Sequence, residues 1–170
     1  MMEMKNLRPL FFLQEKLDQK INSRFREMDE ETKQEHFIKK VLSFRVEVGE
    51  LLNALRLHKY WSTKGPQEKE IVLDEYADGL HFLLSIAGDK KITSYVYEGF
   101  YDKEYFDEHI LWLFDQMLTL PWGDLKKDDF LLGLEMYLKL GDLLGFTWKE
   151  INEAYVRKNL KNHERQLAGY

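Results

Sequence analysis

The sequence has no cysteine, which excludes disulfides, thiolate nucleophiles, zinc–cysteine sites and iron–sulfur clusters. Any metal is therefore held by oxygen or imidazole. Prolines are only three, Pro9, Pro66 and Pro121, and the long stretches between them lack the alternation and β-branched runs of strands. No apolar run reaches the roughly 20 residues that span a bilayer, and the opening MMEMKNLRPLFFLQEKLD turns polar too early for a signal peptide. A surplus of positive charge is missing too. Lys and Arg number 25 against 30 Asp and Glu, a net charge of −5, which argues against a nucleic-acid backbone as partner. These absences predict a cytoplasmic protein with neither a membrane nor a nucleic acid as partner.

What is present is enough apolar material for a core: 44% hydrophobic and 14% aromatic residues in a chain of 170. That length suits one domain spanning 1–170. Apolar spacing at three and four residues predicts an all-α fold, a compact helical bundle of about six helices. The first is expected near Leu10–Phe25 and the second near Glu30–Tyr60, with Asp29 as N-cap. Ser62-Thr63-Lys64-Gly65 then breaks the pattern. Pro66 suits the first turn of a third helix near Pro66–Ala87, with Gly88 at its C′ position. Ile92–Asp102, with Tyr95, Tyr97, Phe100 and Tyr101, reads as an inserted irregular loop. A fourth helix near Lys103–Thr119 stops before Pro121, and a fifth near Lys127–Leu144 is stopped by Gly145. Thr147-Trp148-Lys149-Glu150 is a capping box that opens a sixth helix running to Arg165.

The third helix is apolar nearly all round, so it is expected to be buried. From Ile71 to Ala87 its charged residues Asp74, Glu75 and Asp78 are all acidic, and Glu75 and Asp78 share a stripe with Ile71, Phe82 and Ile86. An unpaired buried carboxylate costs several kcal/mol, so this stripe requires a cation from elsewhere. Helix 2 repeats the pattern, with Glu47 and Glu50 on one face beside Ala54. Carboxylates three residues apart lie about 4.5 Å apart along a helix axis, a span that one divalent ion bridges. Antiparallel packing of helices 2 and 3 would converge four hard oxygen donors, Glu47, Glu50, Glu75 and Asp78. With no cysteine and one nearby histidine, that set favours Mg²⁺ or Mn²⁺ over zinc, and Mg²⁺ commonly accompanies phosphates.

Glu47-Val48-Gly49-Glu50-Leu51-Leu52 together with Glu75-Tyr76-Ala77-Asp78-Gly79-Leu80-His81-Phe82 resembles the all-α nucleoside triphosphate pyrophosphatase superfamily, which includes the MazG-type enzymes. Three further segments resemble its dimeric all-α dUTPase branch: Leu13-Gln14-Glu15-Lys16-Leu17-Asp18, Lys59-Tyr60-Trp61-Ser62, and the tail from Tyr155 to Tyr170. Asp18 stands where that family often has asparagine, and the second tryptophan often found beside Trp61 is absent. The resemblance implies a homodimer that hydrolyses dUTP to dUMP and pyrophosphate, with dUDP as a further substrate. It also implies Mg²⁺, with Mn²⁺ as a substitute, on Glu47, Glu50, Glu75 and Asp78. Divalent ions neutralise the triphosphate and polarise the attacked phosphorus while a carboxylate takes a proton from water. Glu47 is the first choice for that base and Glu50 the second. A MazG-type pyrophosphatase of broader base tolerance is the alternative.

The tail and the first motif would complete the substrate site. Lys158 and Arg165 suit phosphate oxygens, while Asn159 and Asn162 offer both donor and acceptor to a uracil edge; all four also fit an ordinary amphipathic helix end. Gln14 and Asp18 are read as base contacts, Trp61 as a stacking wall, and Lys59 and Tyr170 as further substrate contacts, against core packing or plain solvation for several of these. His81 is either a base contact or a hydrogen-bonded core histidine. Two other classes compete on sequence alone. A di-iron carboxylate bundle needs a second carboxylate-x-x-His turn beyond Asp78-x-x-His81, and none is present. A non-enzymatic module docking a basic partner on its acidic stripe predicts no Mg²⁺-dependent turnover.

Overall fold

Pro9 falls in the first turn of helix α1 (Arg8–Asn22), where a missing N–H leaves no helical bond unmade. The computed structural model describes residues 4–25, 27–99 and 109–169, and among them six helices account for nearly all regular structure. Helix α2 (Glu30–Leu55) begins as expected, the Asp29 carboxylate accepting from the Thr32 N–H at 2.7 Å. It ends five residues before Tyr60, at Arg56 with φ 60°. Beyond Leu55 the apolar residues Leu57, Tyr60 and Trp61 are exposed, so further turns would have no buried face to hold them. Helix α3 (Lys69–Asp89) starts three residues after Pro66.

Gly88 is not the C′ residue of α3. The helix continues through it, and the chain reverses at Lys91, with φ 63°. The Ile92 N–H bonds the Ala87 carbonyl at 3.0 Å and the Lys91 N–H the Gly88 carbonyl at 2.9 Å, the two bonds of a Schellman end, with the Ile92 side chain buried. They hold a lysine in a conformation glycine would adopt more easily. Helix α4 (Ile110–Thr119) ends before Pro121; its expected start at Lys103, and Phe100–Asp102 of the aromatic loop, lie outside the described residues. Helix α5 (Lys127–Leu143) terminates at Gly145, φ 75°. Helix α6 (Trp148–Leu167) opens on the Thr147–Glu150 capping box with both reciprocal bonds formed.

The aromatic loop has a structural task. Val96–Tyr97 (β2) pairs antiparallel with Lys5–Asn6 (β1), Lys5 opposite Tyr97. From this two-residue ladder the Tyr97 hydroxyl and the buried Lys5 ammonium both reach Asp142, and the Tyr95 hydroxyl donates to Glu135. The N-terminus is thereby fastened to α5.

Helix α3 runs through the middle, touching α1, α2, α5 and α6. Its pairing with α2 is antiparallel: the Gln67 N–H meets the Ala54 carbonyl at one end, and Lys40 meets Asp89 at the other. On its far side Tyr76 stacks on Tyr137 of α5, while Phe44 and Trp122 pack edge-on beside them. This rigid aromatic layer supports the acidic stripe from behind.

Candidate active site

Midway along the α2–α3 pair, carboxylate oxygens of Glu47, Glu75 and Asp78 lie within 4.8 Å of one another. Antiparallel packing sets Glu47 opposite both residues of the α3 pair, as the sequence spacing required. Glu50 is more exposed and shares a side-chain hydrogen bond with Glu75. Burial pushes the Glu47 carboxyl up to about 7, reinforced by the charges of Asp78, Glu50 and Glu75. Burial likewise raises Glu75 and Asp78. Such a cluster resists full ionisation until a cation arrives. All its donors are hard oxygens, without sulfur or imidazole, which suits Mg²⁺ or Mn²⁺.

One cation already touches it. The Lys158 ammonium of α6 lies 2.6 Å from Asp78 Oδ2, with both side chains largely buried. Next to it on α6, Arg157 bonds the more exposed Asp74 at 2.7 Å. The cation that α3 requires is thus supplied, in part, by the tail.

Asp78 also lines a cavity of about 410 Å³ bounded by α1, α2, α3 and α6, a size suited to a small ligand. Gln14, Asp18, His81, Asn162 and Arg165 line it as well, so five of the expected substrate residues meet at the edge of the acidic cluster. Gln14 sits in a chain of hydrogen bonds. Its Oε1 accepts from the Tyr155 hydroxyl at 2.7 Å, its Nε2 donates to Asp18 Oδ1 at 3.0 Å, and Asp18 Oδ2 accepts from Ser85 at 2.8 Å. Burial raises the Asp18 carboxyl, opposed by Lys40 and by these bonds.

His81 is a hydrogen-bonded core histidine, one of the two descriptions the sequence allowed, and its side chain also borders the cavity. It is buried, stacked on Tyr155 at 3.7 Å and 2°, with Nδ1 against the Ala77 carbonyl at 2.8 Å. Burial pushes it down to about 4, so the ring is neutral at pH 7. Nδ1 carries the proton it donates to Ala77, which leaves Nε2 an acceptor. That Nε2 is buried without a hydrogen-bond partner, on a side chain that lines the cavity.

Other expected residues stand elsewhere. Asn159 is 2% exposed and donates to the Leu13 carbonyl, joining α6 to α1 without lining the cavity. Lys59 and Trp61 lie on the loop after α2, with Trp61 67% exposed against the edges of His58 and Tyr60; neither lines the cavity. Tyr170 is outside the described residues. Sequence reasoning overlooked Ser85, Tyr155 and Gln166, whose buried Oε1 also lacks a partner. Ser85 was within reach of it: Asp78, His81 and Ser85 form a polar i, i+3, i+7 stripe on an otherwise apolar helix.

Comparison with curated proteins gives no match to the chain. A protein-family model described as dUTPase matches residues 6–170, which takes in every residue of the acidic cluster and of the cavity wall. On that match the chain belongs to the dUTPase family, as an all-α dUTP diphosphatase.

Proposed function

We propose that this enzyme hydrolyses dUTP, and dUDP as a further substrate, in a Mg²⁺-dependent reaction that releases dUMP, with pyrophosphate from dUTP. Mn²⁺ serves as a substitute. The observation that carries this reading is the junction of the Glu47, Glu75 and Asp78 carboxylates with a cavity whose buried wall presents His81 Nε2. Glu47, Glu50, Glu75 and Asp78 would hold the ion, which when bound neutralises the triphosphate and polarises the attacked phosphorus. Glu47 acts as general base. Once a cation neutralises the cluster, its carboxylate is ionised and can accept a proton from water.

The cavity takes the base, with Gln14, Asp18, His81 and Asn162 around it. Uracil offers one ring N–H between two carbonyls, and a neutral His81 Nε2 accepts such a donor. Arg165 and Lys158 serve the phosphates. Lys59, Trp61, Asn159 and Tyr170 are proposed substrate contacts on the resemblance alone; for Asn159 the bond to Leu13 favours a structural part. The product supplies dUMP, and the loss of dUTP limits uracil in DNA. We read 1–170 as one domain of a cytoplasmic homodimer with neither nucleic acid nor membrane as partner; no helix among the described residues is long and apolar enough to cross a membrane. The exposed stripe Ile38, Leu42 and Val46 on α2 supports self-association.

The test is pyrophosphate release from each deoxy- and ribonucleoside triphosphate, with and without Mg²⁺. dUTP is expected to lead by at least an order of magnitude in kcat/KM, a gap set by buried polar groups that a wrong base leaves unpaired. Equal rates across bases would replace this reading with the MazG-type one.

A further inference from the structure

Helix α3 carries three carboxylates and no basic residue in its middle turns, and the only cations that bond them among the described residues come from α6. The two ion pairs are unequal. Arg157 and Asp74 are 58% and 37% exposed, whereas Lys158 and Asp78 are 18% and 24% exposed. A solvated pair contributes little, but a sheltered one is weakly screened and matters to its carboxylate. Asp78 is also one of the three residues of the acidic cluster and part of the cavity wall, so Lys158 occupies the junction of both.

We propose that Lys158 is the built-in counter-ion of the metal centre: it holds Asp78 while no divalent ion is bound, competes with the ion for that carboxylate, and is released toward the cavity when the ion arrives. This rests on reading Glu47, Glu75 and Asp78 as the metal centre. Two oxygens of one carboxylate cannot serve an ammonium at 2.6 Å and a divalent ion without loss to one of them, because the two cations repel at that range. The ammonium's influence extends past its direct partner, opposing the raised proton affinity of Glu47 and Glu75 as well as of Asp78.

Release has somewhere to go. Lys158, Asn162 and Arg165 follow one another at i, i+4 and i+7 on α6, a single helical face, and the latter two line the cavity. A lysine on a flexible four-carbon stem swings across such a distance without moving its helix, as a planar, forked arginine does less readily. The same side chain therefore keeps the acidic cluster assembled before the ion binds and places a positive charge beside the phosphates afterwards. Lys158 is in this account a positioning residue for the carboxylates.

The experiment is Mn²⁺ titration by calorimetry, without nucleotide, of the wild-type protein and of Lys158→Met. The expected result is a pair of opposite effects. Mn²⁺ affinity rises about tenfold, equivalent to about 1.4 kcal/mol, and the melting temperature of the ion-free protein falls by about 3 °C. Unchanged affinity would assign Lys158 to phosphates alone, and weaker affinity would make it a mere support of the site; either overturns the counter-ion role. A second measurement needs no variant. Acylation of Lys158 by acetic anhydride, read by mass spectrometry of the wild-type protein, is expected to speed up severalfold when Mn²⁺ is added, and an unaltered rate overturns the proposal. Failure of the wild-type protein to take up Mn²⁺ would remove the metal centre itself, a result distinct from Mn²⁺ uptake that Lys158→Met does not improve.

Discussion

Tyr76 and Tyr137 are pinned to each other twice. Their rings stack with centroids 4.7 Å apart at 15°, and each hydroxyl donates to the other's backbone carbonyl, at 3.1 and 2.7 Å. Glycine makes this possible on both helices. A Cβ on Gly79 would stand 2.2 Å from the Tyr137 hydroxyl oxygen, and one on Gly141 would stand 2.6 Å from that of Tyr76. Since Tyr76 and Gly79 flank Ala77 and Asp78, the contact fixes the backbone that presents the acidic stripe. Buried on both rings, these phenols stay protonated far above the usual range and act as donors only.

Gly79→Ala is therefore expected to destabilise the fold by about 1–3 kcal/mol, the usual cost of overpacking a filled core, and to weaken Mn²⁺ binding by displacing Asp78. Urea unfolding followed by Mn²⁺ titration checks both. Gly88→Ala, at a helical position where a Cβ meets nothing within 4 Å, serves as control and should leave Mn²⁺ binding unchanged while raising stability by up to about 1 kcal/mol, the helical preference of Ala over Gly.

Asp78→Asn or Glu50→Gln is expected to reduce turnover at least a hundredfold while the fold persists, because each removes an oxygen donor from a centre on which the reaction depends. Steady-state kinetics with circular dichroism decide it; activity within threefold of the parent in either variant refutes the centre as drawn. The two differ in stability. Glu50→Gln relieves repulsion, whereas Asp78→Asn also takes the partner from Lys158.

The pH dependence of the ion-free protein follows from Glu47 and His81, with opposite signs. Glu47 is raised from 4.5 to about 7, so between those values the folded state holds more protons than the unfolded chain and stability falls as pH rises. Glu47→Gln should melt higher than the parent at pH 8 and converge with it near pH 5, as calorimetry in a chelator would show. His81 is lowered from 6.5 to about 4. There the unfolded chain binds the extra proton, so the stability that a neutral His81 contributes is complete above pH 6.5 and lost as pH falls toward 4. The difference between wild type and His81→Gln across that window isolates an effect of about 3 kcal/mol.

Much of this was legible in the amino acids. Glu47, Glu75 and Asp78 announced themselves because ionisable groups at three-residue spacing on otherwise apolar faces have no structural excuse, whereas Glu50, read from the same spacing, is exposed and lies outside the cluster of three. Caps at Asp29, Thr147 and Gly145 were fixed by local bonds that two or three neighbouring residues specify. What escaped depended on distant partners. The reversal at Lys91 is held by the burial of Ile92, the strand at Val96–Tyr97 by the N-terminus, and the Lys158–Asp78 bond by the packing of α6 on α3; none leaves a periodic trace. Gln14 was read as a base contact, and its amide also bonds Asp18 one turn along α1 and Tyr155 of α6, of which only Tyr155 is brought near by the fold.

Self-association is the simplest expectation to check. Sedimentation at micromolar concentration should give twice the single-chain mass of 20.5 kDa, and Leu42→Lys, within the exposed stripe of α2, should shift it toward that single mass. A wild-type mass of one chain refutes the dimer.

Selection of uracil over cytosine depends on who reads the base and who holds the phosphates. Cytosine reverses the donor and acceptor at position 4, leaving a buried group unpaired against a wall that fits uracil, a cost of about 1–3 kcal/mol. Gln14 has spent its carbonyl on Tyr155 and one N–H on Asp18, which leaves a single amide N–H to offer a carbonyl oxygen. Asn162 is one of three further amides on the wall, with Asn22 and Gln166, and its Oδ1 lies 3.4 Å from Arg165 Nη1. A guanidinium carries charge for phosphates and is indifferent to the base. Asn162→Ala should therefore narrow the gap in kcat/KM between dUTP and dCTP, while Arg165→Ala slows both by similar factors. If Arg165→Ala altered the dUTP to dCTP ratio more than Asn162→Ala did, the division of labour along α6 would be reversed, and the guanidinium rather than the amide would face the base.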